Sequence, residues 1–136
     1  MRVLLVEDNE SLADLFRVQV RRLGYELSVA TSKKSALDVY QPGAFDTAFI
    51  DMGLEGIADR GLEIIREIKA QSPQQRVGVL SSNDLQAMVR QSRQAGAVFY
   101  MVKPFTMEGL QVVLAGDPAA IKAYLPDIGE GRIIAL

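Results

Sequence analysis

An α/β fold built on a doubly wound, five-stranded parallel sheet is what the chain predicts, and three observations carry that expectation. Short apolar runs alternate with amphipathic segments, most of the runs are apolar at nearly every position, and capping or turn-forming residues separate each run from the segment that follows it. Continuous apolar runs mark strands buried on both faces. Their alternation with helices at this spacing demands right-handed crossovers, which place helices on both sides of a parallel sheet.

Val3 to Val6 is the first strand, and Glu7-Asp8-Asn9 closes it with polar residues suited to starting a helix. Leu12, Leu15, Phe16, Val20 and Leu23 recur at helical spacing up to Gly24, leaving Arg17, Arg21 and Arg22 to solvent. Leu27 to Ala30 is the second strand; Ser32 caps a helix carrying Ala36, Leu37 and Tyr40, which Pro42-Gly43 ends. Thr47 to Asp51 is the central strand. A loop rich in Gly, Glu and Asp runs from Met52 to about Arg60, and Leu62, Ile65 and Ile68 mark a third helix that stops before Pro73. Arg76 to Leu80 is the fourth strand, ending at Ser81-Ser82-Asn83. Asp84 is expected to cap the helix that carries Leu85, Met88 and Val89 and ends at Gly96. Val98 to Val102 makes the fifth strand, terminated by Lys103-Pro104.

Beyond Thr106 a helix from about Met107 to Ala115 is interrupted by Gly116-Asp117-Pro118, and Asp117 and Pro118 suit the cap and first turn of a short helix reaching Tyr124. The expected division is therefore a domain over residues 1–115 and an irregular, partly helical C-terminal extension or linker over 116–136. Within it Ile133-Ile134-Ala135-Leu136 is apolar enough to dock, at a place the sequence does not specify.

With 136 residues, 49% of them hydrophobic, the chain suits one well-buried domain. A formal net charge of -2 provides no strong field for nucleic acid or an anionic membrane. The absence of cysteine and histidine leaves only oxygen ligands for a metal. No apolar run is long enough to span a bilayer, and Met1 is followed at once by a strand-like run rather than by a signal peptide's apolar core. A cytoplasmic protein with a native start, binding neither nucleic acid nor membrane directly, is expected.

The chemistry concentrates at strand ends. In Phe49-Ile50-Asp51-Met52-Gly53 a carboxylate directly follows a buried run, where it must be satisfied by partners, and Gly53 is expected to turn the backbone sharply and aim a carbonyl at the same point. In an open parallel sheet the ligand site lies beyond the carboxyl ends of the strands. Glu7 and Asp8 follow the first strand, Asp51 the third, Ser81 the fourth and Lys103 the fifth, so the fold gathers them on one rim. Taken singly, Glu7-Asp8 are helix-start acids, Asp51 a loop cap, Ser81 a turn residue and Lys103 a solvated lysine. Together they describe a site. Three carboxylates in one cleft repel unless a cation lies among them, and hard oxygen ligands with room for water and phosphate suit Mg2+. Lys103 then supplies a point charge for a phosphoryl oxygen, and the Ser81 hydroxyl a hydrogen bond for another.

Leu4-Leu5-Val6-Glu7-Asp8-Asn9, Phe49-Ile50-Asp51-Met52, Val79-Leu80-Ser81 and Tyr100-Met101-Val102-Lys103-Pro104-Phe105 resemble the signature blocks of receiver domains of two-component response regulators, over about residues 2 to 115. The resemblance implies a flavodoxin-like receiver fold with strand order 2-1-3-4-5. It implies that Asp51 accepts a phosphoryl group from a phosphohistidine on a sensor histidine kinase or histidine phosphotransfer protein. It further implies Mg2+ bound by Asp8, Asp51 and the Gly53 carbonyl, with Glu7 acting mainly through water, and a cis Lys103-Pro104 peptide. The implied switch couples Ser81, drawn toward the phosphoryl group, to an inward turn of Tyr100, which remodels the face of the fourth helix, fifth strand and last helix for a downstream effector. Catalysis by such a domain is confined to its own phosphorylation and dephosphorylation, so no other enzyme activity is expected.

Two departures from the receiver pattern stand out. The proline that commonly follows the acceptor aspartate is missing, and the matching glycine, Gly61, falls two residues late, so the loop over residues 52–60 is expected to be longer and reshaped. The broken last helix makes the usual dimer mode a poor expectation, leaving any homodimer to a non-standard face. Among competitors, a haloacid-dehalogenase-like phosphatase needs an aspartate where Gly53 stands, and a flavodoxin-like carrier needs a phosphate loop where Glu7-Asp8 would repel the cofactor. The remaining alternative is a receiver-fold interaction module that acts without phosphorylation.

Overall fold

The strands form where the apolar runs stand. In the computed structural model, which describes residues 1–123 and 132–136, β1 (Arg2–Val6), β2 (Glu26–Ala30), β3 (Thr47–Asp51), β4 (Val77–Ser81) and β5 (Phe99–Val102) pair in parallel in the order β2-β1-β3-β4-β5. β3 and β4 are buried at every position, as strands covered on both faces must be. Successive side chains point to opposite faces. Leu4, Val6, Ala48 and Ile50 therefore enter the layer beneath α2 (Lys33–Val39), α3 (Arg60–Gln71) and α4 (Gln86–Ala95), while Val3, Leu5, Phe49 and Leu80 enter the layer beneath α1 (Glu10–Arg22), α5 (Met107–Ala115) and α6 (Pro118–Ala123).

The second layer is aromatic at its centre. Phe16 meets Phe49 edge-on at 4.9 Å and Phe105 at 5.3 Å, and Phe49 lies 5.1 Å from Phe99. The Phe99 ring occupies the space above Gly78, where a Cβ would fall 2.0 Å from ring carbons. Only glycine at that point of β4 lets the ring lie flat on the strand.

Local chemistry sets most helix boundaries. The Asn9 side chain accepts from the Leu12 N–H, Ser32 and Ser35 form a reciprocal capping box, and the Thr106 hydroxyl accepts from the Gly109 N–H at 2.9 Å. Gly96 and Gly116 end α4 and α5 in the left-handed conformation. Two local expectations are corrected. Asp84 does not cap α4: Leu85, extended and without a side-chain cap, precedes the helix, and the Asp84 carboxylate is drawn instead to the Arg132 guanidinium. Leu15 is 49% exposed, because the buried stripe of α1 runs through Ala13, Phe16 and Val20.

The tail finds its place on the sheet. Ile133–Ala135 forms β6, antiparallel to β5 with Ile134 opposite Tyr100, and extends the sheet to six strands. The period-two alternation of a strand explains its fit: Ile133 enters the α1 and α5 layer, whereas Ile134 and Leu136 pack on the α3 and α4 layer. The short helix runs to Ala123; Tyr124, its expected end, and residues 125–131 lie outside the described residues. Among the described residues no helix is long and apolar enough to cross a membrane.

Candidate functional site

Glu7 and Asp8 follow β1, Asp51 is the last residue of β3, and Lys103 follows β5, so the parallel register alone carries their side chains to one end of the sheet. One carboxylate oxygen from each of Glu7, Asp8 and Asp51 lies within 4.8 Å of the others. The Lys103 Nζ sits between two of them, 2.6 Å from Glu7 Oε1 and 3.2 Å from Asp51 Oδ1. Glu7 is 1% exposed and Asp51 6%, while Asp8 is open to solvent. The Lys103-Pro104 peptide is cis, and the Lys103 N–H donates to the Ser81 carbonyl at 2.7 Å.

Burial pushes the Glu7 carboxyl up to about 7, helped by its hydrogen bond with Asp51 and opposed by Lys103. Burial pulls Lys103 down, but the hydrogen bond to Glu7 and the charges of Asp51 and Glu7 outweigh it and hold the ammonium above its ordinary value. A proton is thus held on Glu7 that an exposed glutamate would have lost. The consequence for stability has a definite sign. Below 4.5 the group is protonated in both folded and unfolded chains; between 4.5 and about 7 only the folded chain retains the proton. Stability of the metal-free protein should therefore be fully present at low pH and fall, by on the order of 2–3 kcal/mol, as pH rises through 7. Urea unfolding at pH 5 and pH 8 measures this. A slope that persists in Glu7→Gln would show that Glu7 is not its source.

The loop after β3 is built differently from the sequence expectation. Gly53 adopts an ordinary φ of -97°, and it is Glu55 (φ 60°) and Gly56 (φ 73°) that take the left-handed conformation within a 3-10 turn, Leu54–Gly56. A non-glycine residue there costs about 1–2 kcal/mol. Glu55 is held by contacts from elsewhere in the chain: its N–H donates to Asp8 Oδ2 at 3.1 Å, and its carboxylate accepts from the Lys33 N–H at 2.8 Å. Gly53 donates its N–H to Asp51 Oδ1 at 3.3 Å, and its carbonyl accepts from the Gly56 N–H at 3.1 Å, leaving one lone pair for another partner. Gly61 returns to the site: a Cβ on it would lie 2.5 Å from the Asp51 carbonyl oxygen.

Ser81 is buried; its Oγ accepts from the Asn83 N–H at 3.3 Å, and its hydroxyl hydrogen-bonds the Tyr100 oxygen. Tyr100 stands inward and is fully buried, its hydroxyl donating to the Asn83 carbonyl at 2.7 Å. Burial pushes the Tyr100 phenol above its ordinary value, so it remains a donor throughout the physiological range. Asn83 and Glu55 thus join the site; the resemblance marks Asn83 only as a position that tunes phosphoaspartate hydrolysis and gives Glu55 no role, because their contacts involve backbone groups whose directions the loop alone decides.

The comparisons with known proteins follow this geometry. A family model described as the response regulator receiver domain matches residues 3–115. The alginate biosynthesis transcriptional regulatory protein AlgB of Pseudomonas aeruginosa PAO1 is 32% identical over 114 residues, covering 84% of this chain and 25% of that protein. This chain therefore spans about a quarter of the AlgB length. Sporulation initiation phosphotransferase F of Bacillus subtilis 168 is 26% identical over 125 residues, covering 92% of this chain and 94% of its own. Among solved structures, the non-phosphorylated HemR receiver domain of Leptospira biflexa superposes with a TM-score of 0.77 at 23% identity, covering 92% of this chain and 97% of that one. A Burkholderia pseudomallei response regulator with a phosphorylated aspartic acid, calcium ion and citrate gives 0.77 at 27% identity, covering 90% of this chain and 71% of that one.

Proposed function

This chain belongs to the response regulator receiver domain family, and from that premise we propose that it accepts a phosphoryl group on Asp51 from a phosphohistidine of a sensor histidine kinase or histidine phosphotransfer protein, with Mg2+ bound beside the acceptor. The observation that carries the reading is the set of three carboxylates within 4.8 Å of one another with the Lys103 ammonium against two of them. The donor set fits the ion: oxygens only, two of the three carboxylates nearly enclosed and one open to water. Asp8 and Asp51 would hold Mg2+ with the Gly53 carbonyl, and Glu7 through water. When bound, the ion supplies positive charge to the phosphoryl oxygens and the acceptor carboxylate.

The chain's own groups do the rest. An Asp51 carboxylate oxygen attacks phosphorus as the phosphorus–nitrogen bond to the donor imidazole breaks, and the bonding pair leaves with the imidazole, which takes up a proton. Lys103 holds its ammonium where a phosphoryl oxygen would arrive, and the Ser81 hydroxyl would turn its proton from the Tyr100 oxygen to another. The Burkholderia protein's phosphorylated aspartate supports the acceptor reading.

In this account residues 1–115 are the receiver and 116–136 its C-terminal extension, the chain works in the cytoplasm where its donor is made, and its effector is another protein or domain reached through the face of α4, β5 and α5. Ser81 and Tyr100 are the proposed switch pair: they are hydrogen-bonded to each other and Tyr100 already stands inward. Phosphorylation would exchange the Ser81–Tyr100 bond for one to a phosphoryl oxygen, and the expected inward turn of the ring is not needed. A donor protein carrying labelled phosphohistidine tests the proposal. Label should pass to this chain in the presence of Mg2+ and remain on the donor with Asp51→Asn; equal labelling of both chains would refute Asp51 as acceptor.

A further inference from the structure

Asp8 carries the outermost of the three carboxylates at the end of the sheet, open to solvent where Glu7 and Asp51 are enclosed. An exposed carboxylate samples several rotamers unless something holds it. Among the described residues one donor does: the Glu55 N–H, 3.1 Å from Asp8 Oδ2, which leaves the other carboxylate oxygen for a cation. The same turn shapes a second group of the site, because the Gly56 N–H closes on the Gly53 carbonyl at 3.1 Å. Two of the groups assigned to Mg2+ therefore depend on how the Leu54–Gly56 turn is held.

Glu55 does not hold that turn by preference. Its φ of 60° is the left-handed conformation, which any side chain disfavours and glycine would adopt freely. Strain of this kind persists where the surroundings over-determine it, and it gathers at sites where position matters. Here the strained residue supplies its own restraint. The Glu55 carboxylate lies outside the acidic cluster and accepts from the Lys33 N–H at 2.8 Å, at the start of α2, where an amide has no partner within its helix. Arg60 adds a cation 3.9 Å from Glu55 Oε2. The Lys33 ammonium, 3.7 Å from Glu63 and 3.6 Å from Glu67, ties α2 in turn to α3. The backbone N–H on Asp8 is thus anchored, through one side chain, to the helices on either side of the loop.

We propose that Glu55 is a positioning residue for the divalent ion: without touching it, the Glu55 carboxylate locks the turn onto α2 and so fixes the Asp8 carboxylate in the place that Mg2+ requires. This role rests on the Mg2+ reading above and adds to it the residue that sets ion selectivity. Mg2+ demands near-ideal octahedral geometry, whereas Ca2+ accepts a flexible shell. A loosened Asp8 therefore penalises Mg2+ far more than Ca2+. Loss of the Glu55 charge alone, acting through space, would weaken both divalent ions alike.

Calorimetric titration of the full chain with Mg2+ and with Ca2+, for Glu55→Ala and Glu55→Gln beside the unsubstituted protein, separates these effects. Groups that orient metal ligands typically contribute about 10-fold to 100-fold in affinity, so Glu55→Ala should raise the Mg2+ Kd about 10-fold and the Ca2+ Kd by no more than about 3-fold. Glu55→Gln keeps an oxygen for the Lys33 N–H and loses only the charge, so both ions should stay within about 3-fold of the unsubstituted chain. Hydrogen exchange in the metal-free protein reads the contact itself. The amide at position 55 should be protected in the unsubstituted chain and in Glu55→Gln, and should exchange roughly 10-fold faster in Glu55→Ala and in Asp8→Ala. Equal weakening of Mg2+ and Ca2+, equal weakening by the two Glu55 substitutions, or an Mg2+ Kd within about 2-fold in Glu55→Ala overturns the positioning role. So does an amide at position 55 whose exchange is indifferent to Asp8. A folded, unsubstituted chain that takes up no Mg2+ refutes the Mg2+ reading and the positioning role with it, whereas the other failures leave that reading standing.

Discussion

Phosphoryl transfer to Asp51 should slow by about 100-fold or more when Lys103 is replaced by alanine, with Mg2+ binding retained. In the structure the ammonium lies 2.6 Å from Glu7 and 3.2 Å from Asp51, and it is the one cation within ion-pair distance of either among the described residues. The charge of the incoming phosphoryl group must be met as it forms, in a site whose two inner carboxylates are almost closed to water. Removing a preorganised donor from such a site typically costs a factor of 100 to about 1000 in rate. Ground-state binding of Mg2+ has no such requirement, since loss of the lysine leaves more negative charge around the ion. Initial rates of mass gain from a small phosphodonor, alongside calorimetric titration with Mg2+, separate the two effects. A rate within about 3-fold of the unsubstituted chain would remove Lys103 from the chemistry.

Gly61→Ala should cost about 2–3 kcal/mol of stability, a fall in Tm of roughly 10 °C. The added methyl would stand 2.5 Å from the Asp51 carbonyl oxygen and 2.8 Å from the Met52 α-carbon. Both are backbone, and neither can rotate away. Relief requires shifting α3 or the end of β3, and the latter carries Asp51, so on the proposed reading Mg2+ affinity should fall along with Tm. Gly53→Ala is the matched control: nothing lies within 4 Å of a Cβ there and its φ is ordinary, so Tm should move little. Thermal unfolding of the two variants side by side checks the contrast. Equal losses would mean that the close approach to the Asp51 and Met52 backbone is not what sets the cost at Gly61, since backbone entropy alone would make either change slightly stabilising.

These two glycines show where the sequence was legible and where it was not. Gly61 could be matched by pattern although it falls two residues late, because the extra length is absorbed in the 3-10 turn at Leu54–Gly56 before the chain returns to β3. Gly53 was expected to carry the unusual backbone angle; Glu55 and Gly56 carry it instead. Strain at Glu55 depends on Asp8 and on Lys33, 47 and 22 residues away, and no local propensity encodes such partners. The strand ends were readable for the opposite reason. Val6 to Glu7, Ile50 to Asp51 and Val102 to Lys103 are abrupt steps from apolar to charged, and parallel register turns each step into a place on the same rim.

The fate of Asp84 and of the tail lay beyond that kind of evidence. A cap at Asp84 was the local expectation, but Arg132, 48 residues on, takes the carboxylate. The run Ile133 to Leu136 is apolar throughout, which suggests docking without naming a strand, and it could not convey that β5 leaves an edge to receive it.

The measurement that bears most directly on the account is intact mass after incubation with acetyl phosphate and Mg2+, with Asp51→Asn and a magnesium-free sample in parallel. One added phosphoryl group on the unsubstituted chain, absent from both controls, is the predicted result. A folded chain that binds Mg2+ and gains no mass would contradict it, and would leave a receiver fold that acts through its surfaces without phosphorylation.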